Sequence, residues 1–362
     1  MAPVVAMLLG GFALLLVCWY AIEVLLFIFI ATLLATGLRG LSCAVSRRLG
    51  LGVGWSLALV TLLIIGAFVA GTIALAPELG RQGAALIEAL PKGLQSLQTW
   101  VESTPWGREI TARLGSTDWA AVGQRIVSGA TGVLSSTVSA IAGLLIIVIL
   151  TLYLAADPDT YLNGVLRLAR RERRPRLREV SAQLGQTLRD WLQGQLIAML
   201  LTGVLTTLGL WLLGIPLPLA LGVIVALFGF IPNIGPIIGV VPAALLALTK
   251  SPMSALWVLV LYFVIQTVEG NLITPMIQQR AVRLPPALTL GAQIFLGSLL
   301  GILGVFVATP LAAVVLVLVG ELYVKDVLGD DDEEDSETRR EANRHPLLRS
   351  ALRWRRSRPG KT

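Results

Sequence analysis

The residues best equipped for chemistry lie in QTVEGNLITP, Gln266 to Pro275, inside an otherwise apolar stretch. Glu269 follows Gln266 by about one helical turn, Asn271 comes two residues later, and Pro275 stands four residues beyond Asn271. Proline has no backbone N–H, so the Asn271 carbonyl loses its usual helical donor. A carboxylate, amides and a free carbonyl at the inner end of a span can hold a coupling ion or the polar group of a solute. An acid deep in a membrane costs ~2.5–3.5 kcal/mol on insertion scales and is kept for a partner or a task. Either Glu269 binds what passes, or it reaches the interface and pairs with Arg280 or Arg283.

A second constellation is FIPNIGP, Phe230 to Pro236, in the middle of the apolar stretch Ile215 to Thr249. Pro232, Asn233, Gly235 and Pro236 interrupt any helix there and leave peptide groups without helical partners. In hydrocarbon such groups are tolerated only where they face protein or a water-filled cavity. The arms, Pro218 to Ile231 and Ile234 to Leu248, are each roughly 22 Å long against a hydrocarbon core of ~30 Å. A hairpin that enters and leaves by the same face fits better than two full spans, and such broken elements build substrate sites in transporters. The substrate or ion site is therefore expected among Pro232, Asn233, Gly235, Pro236, Gln266, Glu269, Asn271 and Pro275.

Small residues accompany these groups. Gly239 completes a GxxxG with Gly235, while Gly297, Gly301 and Gly304 fall at i, i+4 and i+7, one face of a continuous helix, with Pro310 beyond. They are expected to serve as hinge and packing positions. The functional alternative is a surface on which one bundle slides past another. HExxH, GxSxG and GxxxxGK[ST] are all missing, so no enzyme is expected. Cys18 and Cys43 lack metal spacing and His345 sits in a polar tail, so neither a cofactor nor a metal is expected, only a coupling ion, H+ or Na+.

The elements that must position these groups are membrane helices. Of 362 residues, 55% are hydrophobic and 14% charged, and the mean hydropathy is +0.79, which marks an all-α polytopic membrane protein. The net charge of +7 comes from arginines clustered beside spans, where positive-inside topology explains them without nucleic acid.

In chain order, residues 1–76 hold N-terminal spans: a hairpin of Met1 to Tyr20 and Ala21 to Leu38 with Glu23 near its turn, then Trp55 to Ala76. Residues 77–135 form an extracytoplasmic helical module. Its stripe Ile87, Leu90, Leu94, Leu97 and Val101 packs on its own helices or on a neighbouring subunit, and Pro91 and Gly93 split it into two short helices. Asp118 is a candidate N-cap for a helix bearing Trp119, Val122 and Ile126. Residues 136–156 span again, and 157–190 are cytoplasmic, arginine-rich and end in an amphipathic helix on lipid headgroups, with a gating role as the alternative. Residues 191–328 form the transport core. A second apolar stretch, Leu284 to Val319, repeats the Leu-Pro opening, central glycines and late proline of the first, as inverted repeats do. Residues 329–362 are a charged, disordered cytoplasmic tail.

WLQGQL (Trp191 to Leu196), Gly214 to Pro216, FIPNIGPIIGVVPA (Phe230 to Ala243), QxxEGNxxxP (Gln266 to Pro275) and LPPALTL followed by GxxGxxxATPLAA (Gly301 to Ala313) together resemble the autoinducer-2 exporter-like (AI-2E) family of bacterial membrane proteins. The resemblance covers roughly Trp55 to Lys325 and is strongest after Trp191. It implies about eight spans across the bacterial inner membrane, with both termini cytoplasmic on the path above. It also implies homo-oligomeric assembly, a pentamer being one form, and transport without ATP. Some family members are associated with export of autoinducer-2, others with sodium/proton exchange. The first reading is thus a secondary transporter exporting a small polar molecule, and the second a cation/proton antiporter. A third, from another class, is a membrane scaffold that binds a partner and transports nothing; a channel is disfavoured by the lack of a filter segment.

Overall fold

A computed structural model describes residues 2–105, 137–232, 234–273 and 284–328, and the elements among them are helices without a strand. α1 (Ala2–Leu49) is one helix of 48 residues, so the expected turn near Glu23 is absent. A single glutamate is a good helix former and breaks nothing. Its loss removes one expected crossing. α2 (Val53–Ser103) likewise runs unbroken through Pro77 and Pro91. Two short helices were expected there; proline removes one bond, but the second half of α2 is held by a buried face that includes Leu86, Gly93 and Leu94. Gly93 serves close approach, since a Cβ there would lie 2.9 Å from the Leu245 carbonyl oxygen.

α3 (Thr137–Ala156) bends by 86° into α4 (Pro158–Arg167), whose N-cap Asp157 accepts from the Thr160 N–H. Those hydrogen bonds from Thr160, with Arg39 adding a smaller share, hold the Asp157 carboxyl below its usual range. On α1, Arg39 Nη1 donates to the Ala155 carbonyl at 3.0 Å, placing a cation at the C-terminus of α3. α5 (Arg174–Leu212) starts as the amphipathic helix and continues as a span.

α6 (Pro218–Phe228) and α7 (Ile234–Leu248) are short helices of 11 and 15 residues joined by a break, roughly 16 and 22 Å long. They pack side by side with α5 and with α8 (Pro252–Val268). Leu210, Leu221, Val225, Ala243, Leu246, Val258 and Tyr262 form the core of this group, together with Leu86 of α2, while Ala89 and Leu90 pack against it. Of the stripe expected to pack on its own module or on a neighbouring subunit, Leu90 packs on this hairpin's core. The base is closed by Lys250 Nζ donating to the Gly214 carbonyl at 2.6 Å. α6 begins with Gln82 Oε1 of α2 accepting from the Ala220 N–H at 3.0 Å.

α9 (Pro286–Leu318) turns at Gly301, whose φ of 63° and ψ of −146° are open to glycine almost alone. A Cβ on Gly304 would lie 2.1 Å from the Leu296 carbonyl oxygen and one on Gly297 2.7 Å from Val305, so the two arms of α9 fold back on each other. The expectation of one glycine face on a continuous helix fails for that reason, because Gly297 and Gly304 lie on opposite arms. No atom stands within 4 Å of a Cβ at Gly301, so the cost of Gly301→Ala is conformational. Thermal or denaturant unfolding is expected to show a loss of about 1–3 kcal/mol.

Among the described residues five helices are long and apolar enough to cross a membrane, or six with the α3–α4 pair counted as one span. The expected count of about eight is not confirmed. The described residues from Ala313 to Leu328 belong to a second unit, in which the π-helical turn Val319–Lys325 carries a Lys325–Glu321 ion pair at 2.7 Å.

Candidate functional site

Several backbone groups at the break between α6 and α7 are paired. The N–H groups of Gly229, Phe230 and Ile231 donate to Val225, Leu227 and Phe228 carbonyls, and the Gly235 N–H donates to Ile231. Two carbonyls are taken up by side-chain amides instead. Gln195 Nε2 of α5 donates to the Gly229 carbonyl at 2.6 Å, and Gln293 Nε2 of α9 donates to the Pro232 carbonyl at 3.1 Å. The Gly229, Ile231 and Pro232 carbonyls are thus satisfied by protein, and a solute need not meet them bare.

Gln293 is 1% exposed, and its Nε2 lies 3.5 Å from the Thr309 hydroxyl on the other arm of α9. Sixteen residues of straight helix would separate this pair by roughly 24 Å, so the contact exists only because α9 reverses. Gln293 Oε1 is buried and has no donor among the described residues. A buried acceptor left open costs ~1–3 kcal/mol. At the same tip Phe230 stacks on Phe306 at 5.4 Å between centroids and meets Trp191 edge to face at 5.6 Å. The tip of the first hairpin is therefore clamped between α5 and the second hairpin by rings and amides.

Glycine makes the crossing of the first hairpin possible. A Cβ on Gly235 would lie 2.1 Å from the Phe228 carbonyl oxygen, and one on Gly239 would lie 2.3 Å from Val225 Cγ2. The Gly239 carbonyl accepts from the Tyr262 hydroxyl at 3.0 Å. Pro236 is half-buried, and Pro310 is fully buried. Asn233 and Pro275 lie outside the described residues, as do Arg280, Arg283, Asp118 and the tail.

The acid cluster is smaller than the sequence suggests and gains a member. Glu269 Oε2 accepts from Gln266 Nε2 at 3.2 Å and from the Thr202 hydroxyl of α5 at 3.1 Å. Asn271 turns away, its Nδ2 donating to the Thr267 carbonyl of its own helix at 3.0 Å. The chain here is a π-helical turn, Glu269–Ile273. Sequence reading missed Thr202, Gln195, Gln293 and Thr309; the usable signal was a lone amide inside apolar runs such as WLQGQL and GAQIFLG, where a polar group needs a reason. Among the described residues no three or more metal-ligating side chains cluster. An apolar cavity of about 370 Å³, lined by Leu97, Trp100, Val241, Leu248 and Leu256, opens between α2, α7 and α8. Without polar groups it has nothing to orient a polar solute.

Comparison with known proteins gives a family model described as AI-2E family transporter, matching residues 6–323. The chain is 36% identical to Putative transport protein YrrI of Bacillus subtilis over 173 residues, 47% of this chain and 48% of YrrI. It therefore spans about half the length of that relative. It is 24% identical to Putative transport protein YueF of the same organism, over 72% of this chain and 74% of YueF. It is 25% identical to Putative permease PerM of Escherichia coli, over 77% of this chain and 79% of PerM.

Proposed function

The chain belongs to the AI-2E family of transporters, and from that premise we propose that it moves a small polar solute across the bacterial inner membrane without ATP, in the outward direction. An autoinducer-2-like signal is the type of cargo that fits. The observation that carries this reading is the buried, unpaired Gln293 Oε1 at the broken tip of the first hairpin. An acceptor held there by its own amide nitrogen is oriented before a donor arrives, and two breaks in facing hairpins allow the clamp to open and close around it. The chain works as a homo-oligomer, a pentamer being one form, and uses H+ or Na+ as coupling ion. Flux of small polar solutes in proteoliposomes, with and without pH and sodium gradients, tests the reading; wild-type vesicles that move none would leave a scaffold.

Cation/proton antiport is favoured by a separate observation, the Thr202–Glu269–Gln266 cluster joining α5 to α8. A carboxylate with two neutral donors can exchange a proton for a cation by changing which partners it faces. Glu269→Gln is expected to keep the fold and lose dependence on the imposed pH or sodium gradient, with gradient-driven flux down about tenfold, or ~1.4 kcal/mol. Unchanged gradient dependence would remove Glu269 from the coupling step.

A further inference from the structure

Near the middle of α5, one turn before Leu192, Arg189 crosses over α1 at Gly40. A Cβ on Gly40 would lie 2.7 Å from Arg189 Cδ and 2.9 Å from Nε, so the missing side chain is what lets the arginine stem pass. Arg189 Nε is buried against α1 and has no acceptor among the described residues. Among the described residues no carboxylate forms an ion pair with it. Its neighbours have other occupations. Arg39, next to Gly40 on α1, spends its guanidinium on the C-terminal carbonyls of α3 at Ala155 and Ala156. Asp190 points about 100° away around the helix, as consecutive residues must.

A half-buried cation without a counter-charge is costly, and removing its partner is what makes such a site unstable. Basic side chains set between spanning helices on the arginine-rich side bind anionic headgroups. Arg47 and Arg48 end α1 and are exposed close by, adding to the positive field. With Nε turned into the protein, the open side of the guanidinium is its pair of Nη groups, which match two oxygens of one phosphate.

We infer that Arg189, seated on Gly40 between α1 and α5, is a receptor for an anionic phosphate, with the phosphodiester of an acidic membrane lipid as one source and free phosphate as the other. The site lies in the first half of α5, away from the Gly214 base of the first hairpin, and does not rest on the transport reading.

The full chain in uncharged detergent is titrated with short-chain phosphatidylglycerol, short-chain phosphatidylcholine and inorganic phosphate, and thermal stability is followed. Wild type is expected to be stabilised by phosphatidylglycerol more than by phosphatidylcholine if the lipid is the source, or by inorganic phosphate if the soluble anion is. Arg189→Gln should weaken the effective ligand at least about tenfold, ~1.4 kcal/mol, and Arg189→Lys should fall between because it lacks the paired donors. Gly40→Ala keeps every charge and displaces the stem, so it should also weaken binding; it stands in should Arg189→Gln fail to fold. Arg171→Gln, on the exposed 3-10 turn Arg171–Arg173, removes the same charge elsewhere and should change little. Wild type indifferent to all three ligands, or Arg171→Gln as damaging as Arg189→Gln, would overturn the assignment.

Discussion

Gly235→Ala is expected to prevent the first hairpin from closing. A Cβ at this position would stand 2.1 Å from the Phe228 carbonyl oxygen, 2.5 Å from the carbonyl carbon and 2.8 Å from the Gly229 nitrogen. All three are backbone of the facing arm, so no rotamer change relieves the contact. The arms must part, which strains the Gly235 N–H bond to Ile231 and shifts Phe230 from Phe306 and Pro232 from Gln293. Overpacking a tight core costs typically ~1–3 kcal/mol through side chains, and a backbone clash belongs at or above the top of that range. The melting temperature in detergent should fall by roughly 5 °C or more. Gly185→Ala on α5, where nothing lies within 4 Å, is the matched control and should be neutral or slightly stabilising, because alanine is the better helix former. Equal melting temperatures for the two variants would mean that the tip does not close as described.

The same hairpin shows where sequence reading succeeds and where it stops. Pro232 and Gly235 announce the break because their effect is local: one removes a donor, the other permits close approach. The amides that repair the break come from 34 and 61 residues away in the chain, and no local pattern links Gln195 to Gly229 or Gln293 to Pro232. Pro91 misleads for the converse reason. Its local penalty is real, yet the face around Gly93 packs on Leu245 and the helix continues. The spacing of Gly297, Gly301 and Gly304 carries no sign of which glycine takes a positive φ, since the i, i+4, i+7 rule presumes the continuity that Gly301 ends. At Glu269 the residue type was informative and its partners only partly so: Gln266 is a helical neighbour, but Thr202 arrives from another helix.

Gln293→Leu is expected to stop transport while leaving a folded protein. Leucine keeps most of the side-chain volume, but it strips the Pro232 carbonyl of its donor and removes the open acceptor in one step. The orphaned carbonyl costs ~1–3 kcal/mol, and deleting the unpaired Oε1 returns part of that, so the melting temperature should change little. Flux of whichever solute wild-type proteoliposomes carry should fall by about tenfold or more, because the oriented acceptor that Gln293 supplies at the junction is gone. Gln293→Glu separates recognition from packing. Ionised, it sets two acceptors against the Pro232 carbonyl and loosens the clamp; protonated, it offers one donor and one acceptor as the amide does. Both its melting temperature and its flux should therefore rise relative to wild type as pH falls, a trend that Gln293→Leu cannot show. Full flux through Gln293→Leu would reduce Gln293 to a cap on a broken helix, and the passage of solute would have to be sought along α5 and α8 beside Glu269.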